Sequence, residues 1–256
     1  MRIKLLAAAT AAVLAPLAFS SPAAASHSWG GYHWARTSNP FTLKLGDNLS
    51  SNWKSYLATA SSDWSKSSVM DTTVVAGQSN KRCAATTGRV EVCNSTYGNN
   101  GWLGIASISV TGGTHITQGT VKLNDTYFNT AKYNTPSWRL MVTCQEVGHT
   151  FGLDHQDENF DNPNLGTCMD YTSNPDSTPN NLHPNQHDYD ELATIYAHLD
   201  STTTVGLAAP QTASGFEVDD SPASWGRGVS HSKGADTYVR DLGHGDKMIT
   251  FVVWAR

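Results

Sequence analysis

The stretch that decides the reading is Gln145-Glu146-Val147-Gly148-His149-Thr150-Phe151-Gly152-Leu153-Asp154-His155. Positions 145 and 149 lie one helical turn apart, so both side chains can face one ion, and Glu146, three residues before His149, borders the same spot. In a continued helix His155 would point away from His149, so the helix must stop first. Gly152 offers that stop, because glycine accepts the left-handed conformation that turns the chain back and brings His155 to the metal side. Apart from its first residue the string fits HExxHxxGxxH, in which histidines hold a metal and the glutamate works beside it. Gln145 departs from that pattern. Its amide oxygen can coordinate a metal, but it is a weaker donor to zinc than an imidazole nitrogen.

Outward from the string, Thr135 offers a cap and Pro136 a first helical position, and Trp138, Val142, Gln145 and His149 fall on one side of the helix that follows. Upstream, Phe41, Leu43 and Leu45 alternate with polar residues as in a strand with one buried face. Trp53, Tyr56, Leu57, Ala60 and Trp64 recur at helical spacing, with Ser50 and Ser51 as expected caps. Short β-like runs at Val74-Val75, Arg89 to Cys93, Trp102 to Val110 and Ile116 to Leu123 are separated by Gly and Asn clusters and read as strands of one sheet. Downstream, Leu192, Ile195, Tyr196 and Leu199 mark a closing helix introduced by Pro184 and Asn185. Residues 201–214, rich in Thr, Ala and Ser, read as a linker. In the tail, residues 215–256, Tyr238-Val239 and Ile249 to Trp254 flank Gly243-His244-Gly245-Asp246 and suggest a small β-hairpin extension.

The first 25 residues read as an export signal: Arg2 and Lys4, an apolar run from Leu5 to Phe19, then small residues ending at Ala25. No later segment reaches ~20 consecutive apolar residues, so a secreted, extracellular chain with no membrane partner is expected. A net charge of −5 without a basic cluster argues against nucleic acid as a partner. Four cysteines in an exported chain suggest two disulfides. Three connectivities are open to them, and Cys83–Cys93 with Cys144–Cys168 is the expected set. The acidic and amide cluster Asp157, Glu158, Asp161 and Asn162 could take calcium, but its spacing is not an EF-hand's and a solvated loop is the favoured reading. His183, His187, His198, His231 and His244 read as surface residues.

With these residues in view, the segment Gln145 to His155 resembles the metzincin clan of zinc metallopeptidases, and within it the matrixin-like proteins. Gly166-Thr167-Cys168-Met169-Asp170-Tyr171 resembles the clan's Met-turn, with Met169 as the methionine beneath the histidines. The resemblance covers roughly Phe41 to Leu199. It implies an α+β metzincin-like domain over residues 26–200, with a mixed twisted sheet, an active-site helix, a Met-turn and a closing helix. It further implies one Zn2+ ion held by Gln145, His149 and His155, with Glu146 as general base and Tyr171 steadying the oxyanion. A polypeptide substrate would lie extended along an exposed sheet edge, for which Trp102 to Val110 is the candidate. The expected activity is hydrolysis of internal peptide bonds. Because Gln145 breaks the pattern, the rival is a non-catalytic secreted binding module on the same fold.

Overall fold

In the computed structural model, residues 26–78, 82–208 and 219–256 are described. The expected signal segment and the last residues of the expected linker lie outside them. The alternation at the start of the chain gives what it promises. In β2 (Phe41–Asn48), Phe41, Leu43 and Leu45 are buried while Thr42 and Lys44 are exposed. The aromatic stripe likewise forms α1 (Lys54–Trp64), and its Trp53 and Trp64 are fully buried. Ser50 and Ser51 do not cap it. The cap position is Trp53, whose side chain makes no capping hydrogen bond.

A mixed sheet of nine strands forms the scaffold. Its first part comprises β1 (His33–Trp34), β2, β3 (Met70–Ala76), β4 (Val90–Ser95), β5 (Trp102–Thr111) and β6 (His115–Asn124). After it come the short α2 (Asp125–Phe128), the central α3 (Pro136–His149) and α4 (Gln186–Ile195). The tail adds α5 (Pro222–Trp225), β7 (Arg227–His231), β8 (Ala235–Gly243) and β9 (Asp246–Trp254). The order across the sheet is β3-β2-β4-β6-β5-β9-β8-β7, with β1 also pairing with β6. β2 runs parallel to β3 and β4, and β4 parallel to β6. From β6 to β5 and onward through β9, β8 and β7 every pairing is antiparallel.

Helix α1 packs against α3, and both lie against the sheet. Trp64 Nε1 donates to the Cys144 carbonyl at 3.1 Å, which satisfies the one polar atom of an otherwise apolar contact. The Cys144–Cys168 disulfide ties α3 to the Met169 loop, and Cys83–Cys93 ties a loop to β4. Asn185 caps α4 in a capping box with Asp188. Leu199, expected on the closing helix, lies beyond its end and is exposed.

The hairpin expected in the tail is present, turning through Gly243, His244 and Gly245, all at positive φ. It is not set apart from the domain. Alternate residues of β9 face opposite sides of the sheet: Ile249, Phe251 and Val253 enter the main core, while Met248 and Val252 join Trp102, Ile105 and Trp225 in a second cluster. Strand β5, an edge in the sequence reading, is thereby covered on both faces and along its length.

Candidate active site

Helix α3 starts as its sequence requires. Thr135 Oγ1 accepts from the Trp138 backbone N–H at 3.2 Å, and Pro136 occupies the first turn, where its missing N–H costs nothing. The helix ends at His149, and the chain then turns through Gly152 at φ +96°. A Cβ there would stand 2.0 Å from the Tyr32 carbonyl oxygen, so no other residue fits this turn. The turn brings His155 back to the helix, with His149 Nε2 and His155 Nε2 3.0 Å apart.

The tautomers explain what that short distance needs. His149 Nδ1 lies 2.9 Å from the Leu153 carbonyl oxygen, which can only accept, so the proton sits on Nδ1 and Nε2 carries a lone pair. Asp154 Oδ1 lies 3.3 Å from His155 Nδ1, within ion-pair reach but without a hydrogen bond, and accepts from the His155 backbone N–H at 2.8 Å. Burial pushes the Asp154 carboxyl up, but contacts with the His155 side chain outweigh it and hold the group below the usual carboxylate range. Asp154 is therefore an orienting neighbour of His155. The 3.0 Å contact is met by a proton on the His155 Nε2 atom or by a cation between the two nitrogens.

Gln145 is the first of the expected ligands. Its Nε2 donates to the Cys168 carbonyl at 2.8 Å, while its Oε1 is buried without a partner. Both Glu146 oxygens and the Tyr171 hydroxyl are also buried without hydrogen-bond partners. Each such atom would cost about 1–3 kcal/mol in a dry core, and water or a cation is the economical partner for it. Burial drives the Glu146 carboxyl well above its ordinary range, opposed by the approach of the Ala106 backbone N–H. Burial, followed by the neighbouring His155, lowers His149 to about 3, so its imidazole is neutral, the form that binds metal. Burial, followed by the charge of Glu146, raises the Tyr171 hydroxyl well above its ordinary range.

Met169 is fully buried beneath the helix. A Cβ on Gly148 would stand 2.6 Å from its Sδ, so the glycine is what lets the methionine approach α3. The Tyr171 ring stacks on His155 at 4.0 Å between centroids. Nitrogen and oxygen donors from Gln145, His149 and His155 form a set that suits zinc. In the cluster read as a solvated loop, Asp157 accepts from the Asn159 backbone N–H at 2.7 Å and from the Asn162 amide, and Asp161 pairs with Lys233.

One expectation is overturned. Trp102 to Val110 is not an exposed edge, because β9 pairs with β5 along that length, with Ala106 opposite Phe251 and Gly104 next to Val253. Phe251 is fully buried and lies flat on His149, the ring centroids 4.3 Å apart and the planes 1° from parallel. A cavity of about 40 Å³ beside Tyr171 is walled by Trp138 and Met141 of α3 and by Val253, Trp254 and Arg256 of the tail. The sequence missed this cover because strand pairing across more than a hundred residues leaves no local signal. The histidines read as surface residues also divide: His183 meets Asp63 at 2.6 Å and His231 meets Asp236 at 3.1 Å, whereas His198 joins a cluster with His33 and Asp200.

Among the described residues, no helix is long and apolar enough to cross a membrane. No family model matches the sequence, and no curated protein matches it. Among solved structures, that of myroilysin aligns with a TM-score of 0.37 and 13% identity, over 63% of this chain and 82% of its own. So loose a superposition carries no weight for fold or function.

Proposed function

We propose that this chain is a secreted zinc-dependent metalloendopeptidase, held closed by its own C-terminal strand. The observation that carries the reading is the close approach of two buried imidazoles, His149 Nε2 and His155 Nε2 at 3.0 Å, beside a helix that also buries Gln145 Oε1 and both Glu146 oxygens without hydrogen-bond partners. Gln145, His149 and His155 would hold the ion. Bound there, zinc supplies a Lewis acid and lowers the pKa of a water towards ~7.

Glu146 would accept a proton from the attacking water and pass it to the leaving amine. Tyr171, fixed by stacking on His155, offers its free hydroxyl to the developing oxyanion. Met169, fully buried against Gly148 of α3, would be the apolar floor beneath the histidines. An extended substrate would pair with β5 through backbone hydrogen bonds, where β9 now lies, and the cavity beside Tyr171 would take one of its side chains. Two disulfides suit the oxidising environment of a secreted protein.

The covered site and the weak ligand Gln145 also suit a second reading, a binding module that never opens. One experiment separates them. A site-specific protease sequence is inserted between Ala208 and Asp219, the chain is cut there, and an unstructured protein is offered with zinc. Cleavage by the cut chain that disappears in Glu146→Gln, with zinc content unchanged, supports the peptidase. A folded, zinc-loaded cut chain from which the tail has dissociated, and which still cleaves nothing, leaves the binding module.

A further inference from the structure

We propose a second zinc site, with ligands separate from those of the first, formed by His33, His198 and Asp200. The three residues come from distant segments. His33 opens β1 and His115 opens β6, and the two are register partners in the parallel β1/β6 ladder. His198 and Asp200 lie just past α4.

The donor atoms of these three residues are spaced as neighbours in one metal shell. His33 Nε2 is 3.2 Å from His198 Nε2 and 3.5 Å from Asp200 Oδ1, and His198 Nε2 is 3.6 Å from that oxygen. A tetrahedral zinc with ligands at ~2.0–2.1 Å sets neighbouring donor atoms about 3.3 Å apart. His115 Nε2 reaches the Asp200 oxygen at 3.2 Å but lies outside the group whose donors are all close to one another.

Neighbouring groups orient the ligands. His33 Nδ1 lies 2.8 Å from the Gly31 carbonyl oxygen, which puts the proton on Nδ1 and leaves an Nε2 lone pair facing the other donors. Asp200 Oδ2 accepts from Arg36 Nη1 at 2.9 Å and from the Arg36 backbone N–H at 3.2 Å, so Oδ1 is the oxygen left for the histidines. Two imidazoles and one monodentate carboxylate select zinc over calcium or magnesium, which prefer all-oxygen shells, and leave the fourth position to water. The ion fastens the segment after the closing helix to the start of the sheet. His33 and Asp200 are almost buried while the His198 side chain is 54% exposed, so an ion can enter past His198.

The test is zinc per chain by elemental mass spectrometry after equilibration with zinc chloride and gel filtration. Wild type should hold two ions, His198→Ala one, His155→Ala one, and the double variant none. His198 is exposed enough that its loss should leave the fold intact, and circular dichroism checks this. In parallel, cobalt(II) titrated into His155→Ala should give the intense visible absorption of a four-coordinate site, which His155→Ala/His198→Ala should lack. An unchanged zinc count in His198→Ala, with no cobalt band in His155→Ala, overturns the proposal. A wild type with one ion, lost in His198→Ala and kept in His155→Ala, upholds this site while removing the peptidase centre.

Discussion

Replacing Phe251 by alanine should switch the chain on while making it less stable. The ring is fully buried, stacked on His149 at 4.3 Å and met edge-on by Trp29 at 5.8 Å. Removing such a ring from a core costs about 3–5 kcal/mol. If β9 must lift before a substrate can reach β5, the loss lowers the free energy of opening by the same amount. At tenfold per ~1.4 kcal/mol, the open fraction and the cleavage rate rise by about a hundredfold to a few thousandfold. The assay is cleavage of an internally quenched peptide pool with zinc present, run well below the melting temperature and with circular dichroism as the check on folding. Phe251→Ala/Glu146→Gln is the control and should show none of the gain. A folded, zinc-loaded Phe251→Ala with no Glu146-dependent increase would refute the idea that β9 is what closes the site.

Three further outcomes follow from the same geometry. Gln145→His should tighten zinc at the first site at least tenfold in a competition titration, because an imidazole nitrogen replaces an amide oxygen; unchanged affinity would mean that position 145 is not a ligand. Gly152→Ala should lower stability by about 1–3 kcal/mol or more in urea, since φ is +96° and the Tyr32 carbonyl fills the Cβ position, and a silent substitution would contradict the turn. Removing the Cys144–Cys168 bridge as a double alanine variant should cost about 3 kcal/mol from loop entropy across its separation of 24 residues. It should also weaken zinc binding, because the Cys168 carbonyl anchors the Gln145 amide.

What the sequence made legible was what is encoded locally. The Thr135-Pro136 start and the apolar stripe through Val142 define α3. The eleven residues from Gln145 to His155 contain both the turn of helix that presents two donors and the glycine that returns the third. Alternation in β2 and the turn signal at Gly243-His244-Gly245-Asp246 announced strands, but such local patterns are the same whether a strand ends a sheet or sits inside it. The covering of β5 by β9 was therefore invisible, since it depends on which strand of the domain offers an open ladder. Its hint lay in β5 itself, whose Trp102, Leu103, Ile105 and Ala106 are too apolar for an edge facing water. The His33, His198 and Asp200 cluster was hidden for a related reason. Apart from the His198 and Asp200 pair its members share no spacing, and only the return of the chain after α4 brings them together.

The most direct test of the zinc centre is anomalous diffraction at the zinc edge from crystals of the zinc-loaded chain. A peak within bonding distance of His149 Nε2, His155 Nε2 and Gln145 Oε1, with Glu146 beside the open position, is the expected result. Density showing His149 and His155 bonded directly to each other in a fully zinc-loaded sample, with no anomalous peak there, would contradict it.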